Sequence, residues 1–245
     1  MKLTASIVIY NETEESLRKV IKNFSGFTCE KELIIVDNSP QDILKSFCEN
    51  FENTHYIFSG KNLGFGAGHN LAFNYLSIDS DIHLILNPDI FFNSKEIEAF
   101  LLWFNQRNDI SLAIPKVLNT DGTTQAVVRN IPTPLSFIKR KLNIESGEIL
   151  IEKAQIEEIP FAHGCFFAFK TEVFKKINGF DERFFMYMED VDIWIRAKHY
   201  GKTVMNSHYS IYHEHRKGSS KSIKLFYYHI VSIIKFFLKS YRRFY

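Results

Sequence analysis

Ala5-Ser6-Ile7-Val8-Ile9-Tyr10-Asn11-Glu12-Thr13-Glu14 begins as a short apolar, β-branched run and ends in polar residues. A run of that length and composition reads as a buried strand. Asn11-x-x-Glu14 is a helix-opening signal, and a helix is predicted from there to about Phe24. The same unit then recurs. Leu33–Val36 ends at Asp37-Asn38-Ser39-Pro40, ahead of a short helix predicted over Gln41–Phe51. His55–Ser59 leads into a glycine-rich turn and a helix, together spanning Gly60 to Tyr75. His83–Leu86 ends at Asn87-Pro88-Asp89, and Ser94 is expected to cap a helix whose Ile97, Phe100, Leu101 and Phe104 form a core-facing stripe. Strands alternating with helices predict an α/β fold around a mostly parallel sheet. Ligands of such sheets bind at the carboxyl ends of the strands. Asn11, Asp37, Asn87 and Asp89 therefore stand where function is expected.

Beyond about residue 110 the pattern changes. Ser111–Leu118, Cys165–Phe169 and Thr203–His213 read as strands, and Glu189–Tyr200 as a helix stopped by Gly201. Residues 130–160 show no clear period and read as a loop excursion over a site.

Composition narrows the class. The chain has 245 residues, 45% of them hydrophobic, with 24 Phe, 11 Tyr and 2 Trp. One large domain, or one domain with an appendage, is the expectation. Six of the 30 basic residues (Lys221, Lys224, Lys235, Lys239, Arg242 and Arg243) lie in residues 221–245, which contain no acid. Residues 1–220 thus set 24 bases against all 28 acids, a net of −4. An acidic body disfavours a nucleic-acid binder. Cys29, Cys48 and Cys165 have no CxxC spacing, which fits a reducing cytosol better than a disulfide or zinc scaffold. The first residues lack a signal-peptide pattern, and the longest uncharged tail stretch, Leu225–Ile234, is too short to span a bilayer.

Several residues bear chemistry, each with a plainer reading beside it. Asp89, at a strand end, suits a hard cation that bridges phosphates, or simply orders an Asn-Pro-Asp turn. Glu189, Asp190 and Asp192 open a helix, where carboxylates either cap the N-terminus or, set among Met188, Val191 and Trp194, include a general base. Lys61 to Asn70 contains Gly64, Gly66 and Gly68 before a helix. This is a phosphate-friendly wall or a tight turn, and its GxGxG spacing is not a dinucleotide fingerprint. His208, His213 and His215 gather near a strand end. Arg216 and Lys217 follow, fit either to stabilise a leaving diphosphate or to lie solvated.

Taken together, the segments Ser6–Asn11, Ile35–Ser39, Asn62–Asn70, Leu86–Asp89 and Gly179–Asp192, continuing to Arg196 and Gly201, resemble the inverting family 2 glycosyltransferases of the GT-A fold, in their rhamnosyltransferase-like branch. The resemblance covers about residues 4–235. It implies a GT-A catalytic domain over residues 1–220 and a basic, aromatic, amphipathic helical tail over 221–245. It implies that Tyr10, Asn11 and Asp37 contact the nucleoside, and that Asn62, Gly64, Gly66 and Asn70 wall the nucleotide pocket. Asn87-Pro88-Asp89 takes the place of the family's DxD motif, with Asp89 the ligand of Mg²⁺ or Mn²⁺. Asp190 matches the general base, Glu189 positions the base or the acceptor, and His213, with His215 as runner-up, completes the cation site. Arg216 meets the departing diphosphate.

The implied activity is metal-dependent transfer of a sugar, L-rhamnose being one candidate, from a dTDP- or UDP-linked donor. The acceptor is a saccharide or polyprenyl-diphosphate-linked hydroxyl in surface polysaccharide synthesis. The tail's apolar face and its lysines suggest peripheral contact with the inner face of the plasma membrane. The rival reading is a non-catalytic nucleotide-sugar-binding or scaffold subunit on the same fold.

Overall fold

The computed structural model describes residues 1–142, 144–214 and 223–241. Its first half repeats a strand–helix unit: β1 (Lys2–Ile9), α1 (Glu14–Ser25), β2 (Glu30–Asp37), α2 (Lys45–Cys48), β3 (Thr54–Phe58), α3 (Phe65–Asn74) and β4 (Ile82–Leu86). These strands pair in parallel in the order β3-β2-β1-β4. Then follow β5 (Ile90–Phe91), α4 (Ser94–Asn105), β6 (Ile110–Leu118), β7 (Val128–Arg129), α5 (Pro134–Lys141), β8 (Glu148–Ile149) and β9 (Ile156–Glu158). The chain continues with β10 (Phe161–Ala162), β11 (Phe166–Lys170), α6 (Thr171–Lys176), α7 (Glu189–Lys198), β12 (Lys202–His213) and α8 (Ile223–Tyr241).

The large sheet extends beyond β4 through β11, β6, β12 and β5. β12 runs parallel to β6, whereas β11 enters antiparallel between β4 and β6. A second, small sheet has the order β10-β7-β8.

Period-2 alternation divides the two faces of the parallel half. Leu33 and Ile35 of β2 join the main core with Leu17, Val20, Ile21 and Phe24 of α1, while Ile34 and Val36 meet Ala72 of α3 on the other side. Burial on both faces explains why these strands are continuous apolar runs. One polar seam crosses the core. Ser6 Oγ lies 2.8 Å from His69 Nδ1 and 3.1 Å from His83 Nε2, and Thr4 Oγ1 lies 3.0 Å from His83 Nδ1. Both imidazoles are fully buried.

Several boundaries differ from the sequence reading. Thr13 rather than Asn11 caps α1, accepting from the Ser16 amide, while Asn11 sits in the left-handed region at φ 55°. Asn93 rather than Ser94 caps α4, accepting from the Lys95 and Glu96 amides. α2 is far shorter than Gln41–Phe51, while α3, from Phe65, follows the expected glycine-rich turn. Gly201 is not a left-handed cap. A Cβ there would come within 3.0 Å of the Ser111 amide, so it allows close approach to β6. Residues 130–160 hold α5, closed at its start by a Thr133–Ser136 capping box with Pro134 in the first turn.

α8 docks on the body. Ser232, Ile233 and Phe236 are buried, and Ser232 Oγ donates to the Met186 carbonyl at 2.8 Å. Lys235 donates to the Arg183 carbonyl, and Lys239 is ion-paired with Asp181 and Asp192. Burial alone would raise the Asp181 carboxyl. Hydrogen bonds from Arg183 and Lys239 outweigh it and hold the group well below the usual carboxylate range. Two tail lysines expected to face anionic lipid are therefore spent on protein. Phe226, Tyr227, Ile234 and Leu238 remain exposed, which makes the helix amphipathic. Among the described residues no helix is long and apolar enough to cross a membrane.

Candidate active site

The ends of β1, β2 and β4 bring three segments to one edge. Register pairs Ile9 with Asp37 and Ile7 with Leu86, so Tyr10-Asn11, Asn38-Ser39 and Asn87-Pro88-Asp89 leave the sheet side by side. Tyr10 is half exposed and Asn11 is exposed, both free to meet a ligand. Asp37 differs from its expected role. It is fully buried, with Oδ1 accepting the Ser39 amide at 2.8 Å and Oδ2 accepting the Tyr56 hydroxyl at 2.7 Å. Both its carboxylate oxygens are engaged by protein.

The glycine-rich segment is built around a carbonyl. Asn62 Oδ1 accepts the Gly64 amide at 2.9 Å, an Asx turn. Gly64 has φ 87°, and a Cβ there would lie 2.2 Å from the Phe185 carbonyl oxygen. Asn38 Nδ2 donates to the Gly64 carbonyl at 3.1 Å. Gly66 and Asn70, expected in the nucleotide wall, face protein. A Cβ on Gly66 would collide with Phe180, and Asn70 clamps the same residue through both its amide atoms. Their work is to seat the 180–188 segment on α3.

Asp89 and His213 meet as the sequence suggested, with Asp89 Oδ1 lying 3.3 Å from His213 Nε2. His213 Nδ1 is fixed 2.8 Å from Gln125 Oε1, and the Glu214 amide donates to the Asp89 carbonyl at 2.9 Å. Asp89 Oδ1 is buried without a hydrogen-bond partner. A buried carboxylate oxygen beside an oriented imidazole is a donor set that suits Mg²⁺ or Mn²⁺. No group of three or more His, Cys, Asp or Glu that could hold a metal ion gathers among the described residues. Asn87 is anchored by its amide on the Cys165 carbonyl at 2.9 Å. Arg216 and His215, predicted at the diphosphate and cation, lie outside the described residues.

The acids opening α7 have three fates. Asp192 is buried and paired with Arg196 at 2.7 Å and with Lys239. Glu189 is buried too, and desolvation, then the neighbouring Asp190, push its carboxyl up to about 8. Asp190 alone of the three lines a cavity of about 510 Å³ between β7, α5, α7 and α8. Its Oδ1 accepts the Val191 amide at 2.8 Å, and its Oδ2 lies 3.1 Å from His163 Nδ1. Tyr187 and Met188, just before, hold left-handed φ angles of 69° and 68°. Such strain in non-glycine residues costs about 1–3 kcal/mol each and collects at functional sites. His163 was missed in sequence because its partner lies 27 residues away; the signal that remains is a histidine between two short apolar runs.

The buried titratable groups make stability depend on pH. Burial drives His83 down to about 3, and burial with the His83 neighbour holds His69 well below the usual imidazole range. Below the unfolded-chain value of about 6.5, the unfolded chain takes up protons that the fold refuses. Stability is then lost as pH falls, by up to about 1.4 kcal/mol per pH unit for each histidine. Glu189 acts in the opposite sense: its raised value adds stability as pH falls through about 8. Two histidines outweigh one glutamate, so the urea midpoint should drop between pH 6.5 and pH 5. A flat profile would contradict the buried, neutral seam.

Comparison with known proteins agrees with the fold. A family profile described as glycosyl transferase family 2 matches residues 4–178, and one described as the N-terminal domain of galactosyltransferase matches residues 155–217. The low-salt glycan biosynthesis hexosyltransferase Agl10 of Haloferax volcanii is 30% identical over 196 residues, 79% of this chain and 61% of that protein. Rhamnosyltransferase WbbL of Escherichia coli is 25% identical over 94% of this chain and 90% of its own. The N-acetylglucosaminyl-diphospho-decaprenol L-rhamnosyltransferase of Mycobacterium tuberculosis is 24% identical over 66% of this chain and 59% of its own. The chain thus spans about three fifths of the length of two of these relatives. A crystal structure of GalNAc-T7 with UDP, GalNAc and Mn²⁺ superposes with a TM-score of 0.69 at 14% identity, over 90% of this chain and 44% of that one, a likeness of fold. With a profile match over most of its length, on an α/β sheet of the same architecture, the chain belongs to glycosyl transferase family 2.

Proposed function

We propose that the chain is an inverting glycosyltransferase. It moves a sugar, L-rhamnose being the first to test, from a dTDP- or UDP-linked donor to a hydroxyl of a saccharide or lipid-linked saccharide in surface polysaccharide synthesis. The observation that carries this reading is Asp190: of the carboxylates opening α7, it is the one that meets the cavity. The names of the rhamnosyltransferase and hexosyltransferase relatives support the substrate class.

The chemistry follows from the placement of side chains. A donor nucleoside lies against Tyr10 and Asn11, with Asn62 and Gly64 beside it. Asp190 accepts the proton of the acceptor hydroxyl as its oxygen attacks the anomeric carbon. The bond from that carbon to the diphosphate oxygen breaks in the same step. One displacement on one face inverts the configuration. His163 holds Asp190 Oδ2 so that the carboxylate keeps its aim. A Mg²⁺ or Mn²⁺ ion bound by Asp89 and His213 would neutralise charge on the departing diphosphate. Residues 1–220 are the catalytic unit in this reading. Residues 221–245 supply α8, whose exposed Phe226, Tyr227, Ile234 and Leu238 make peripheral contact with the inner face of the plasma membrane.

A panel of nucleotide sugars with Mn²⁺ or Mg²⁺, followed by thermal shift and by nucleotide release, tests the assignment. At least one donor should stabilise the protein and be consumed when acceptor is added. Silence from every donor across plausible acceptors would favour the scaffold reading.

A further inference from the structure

The cavity beside Asp190 contains a feature the transfer step does not use. Arg129 of β7 and Arg140 of α5 both line it, and Asp190 is the one acid in its lining among the described residues. Arg129 gives one guanidinium nitrogen to Glu148 at 2.6 Å and keeps its Nε buried without a partner. The Arg140 side chain forms no ion pair or hydrogen bond among the described residues. Burial, and then the charge of Arg129, pull its guanidinium down, opposed weakly by Glu145. Glu148 and Glu145 stand beside the two arginines on the other side, yet Arg129 Nε and the Arg140 guanidinium keep donors with no partner among the described residues. That arrangement is unfavourable unless an anion completes it.

The rim says what carries the anion. α5 brings Arg140 to the cavity while turning Leu135, Ile138 and Leu142, at i, i+3 and i+7, out to solvent, with Ile144 exposed just beyond. Residues 131–144 hold three bases and no acid. Inside, Phe137 of α5 and Leu225, Phe226 and Ile233 of α8 supply apolar lining, and Phe137 meets His229 edge-on at 5.7 Å. An exposed apolar stripe beside basic residues is the pattern of a helix lying in a lipid interface. Guanidinium pairs bind phosphate oxygens bidentately. A cavity of about 510 Å³ is within the range of ligand pockets.

We propose that Arg129 and Arg140 clamp the diphosphate of an acceptor whose far end is a hydrocarbon chain, with the outer face of α5 resting on the lipid surface. The acceptor sugar then lies between the clamp and Asp190. This rests on the transfer reading, and it assigns the part of the cavity that reading leaves empty.

The test uses the full chain and three probes: farnesyl diphosphate, farnesol and inorganic pyrophosphate, titrated calorimetrically. Farnesyl diphosphate should bind at least tenfold tighter than either of the others. R140E and R129Q should each weaken it tenfold or more, and R140K should recover most of the loss. Affinity for UDP or dTDP with Mn²⁺ should stay within twofold of wild type. The Arg140 side chain has no hydrogen bond or ion pair among the described residues, so R140E should fold normally, which a thermal melt checks.

Unchanged farnesyl diphosphate affinity in both R140E and R129Q would overturn the clamp. So would a parallel fall in nucleotide affinity, which would assign the arginines to the donor's diphosphate. Loss of binding to phosphatidylglycerol vesicles with farnesyl diphosphate binding intact would assign them to lipid headgroups, and would overturn it too. The clamp and the transfer reading fail separately. If Asp190→Asn still transfers sugar while R140E loses farnesyl diphosphate, the clamp stands and Asp190 is not the base. If transfer depends on Asp190 but both arginine variants bind farnesyl diphosphate normally, the clamp alone falls.

Discussion

Asp190→Asn should lower the rate of sugar transfer by roughly 10²–10⁴-fold, the usual contribution of a positioned general base. The amide keeps the size of the carboxylate and still accepts the Val191 amide through its oxygen, so the start of α7 should hold its shape. What it loses is the capacity to take a proton. Nucleotide affinity should change little, because Asp190 lines the cavity under α5 and α8 and not the edge where Tyr10, Asn11 and Asn62 gather. Glu189→Gln is the informative contrast. Burial pushes Glu189 up to about 8, so the side chain is largely protonated near neutrality and a glutamine imitates it closely. Its cost should be much smaller than that of Asp190→Asn. Equal losses in both variants would mean that the two acids act as one unit.

Asp89→Ala should remove most of the dependence of nucleotide binding on divalent cation. Asp89 Oδ1 is buried without a hydrogen bond and faces His213 at 3.3 Å. Even an outer partner of a metal site is worth ~10–100-fold in affinity, so deleting a direct ligand should cost at least ~100-fold. Titrating Mn²⁺ against a fixed nucleotide sugar measures it. The wild type treated with a chelator should behave like the untreated variant. Nucleotide binding that is strong and cation-independent in both proteins would remove the cation from this account.

The parallel half of the sheet was legible because its strands are buried on both faces. Runs such as Leu33–Val36 and His83–Leu86 are short, apolar and closed by polar residues, a length and flanking that favour strands over helices. The direction of β11 was not legible, since Cys165–Phe169 looks the same whichever way it runs between β4 and β6. α5 was hidden for a different reason. Its apolar residues Leu135, Ile138 and Leu142 point outward, so there is no core-facing stripe to find; its capping box, Thr133 with Ser136, is a local signal that aperiodic flanks obscure. Asp89, His213 and Asp190 take their expected roles from the family resemblance, since carboxylates and histidines at element ends serve equally as caps and turn residues. Smallness and polarity, the marks of Gly66 and Asn70, serve packing as well as ligands. Composition likewise cannot show that Lys239 folds back onto Asp181 and Asp192. His163 and Arg140 acquire meaning only from what they face.

The anomeric configuration of the product tests the central claim most directly. Purified protein, the donor identified by the nucleotide-sugar panel, Mn²⁺ and a prenyl-diphosphate-linked saccharide should give a product whose new linkage is inverted relative to the donor, read from its anomeric proton and carbon couplings by NMR. A linkage of retained configuration would contradict a single displacement with Asp190 as base.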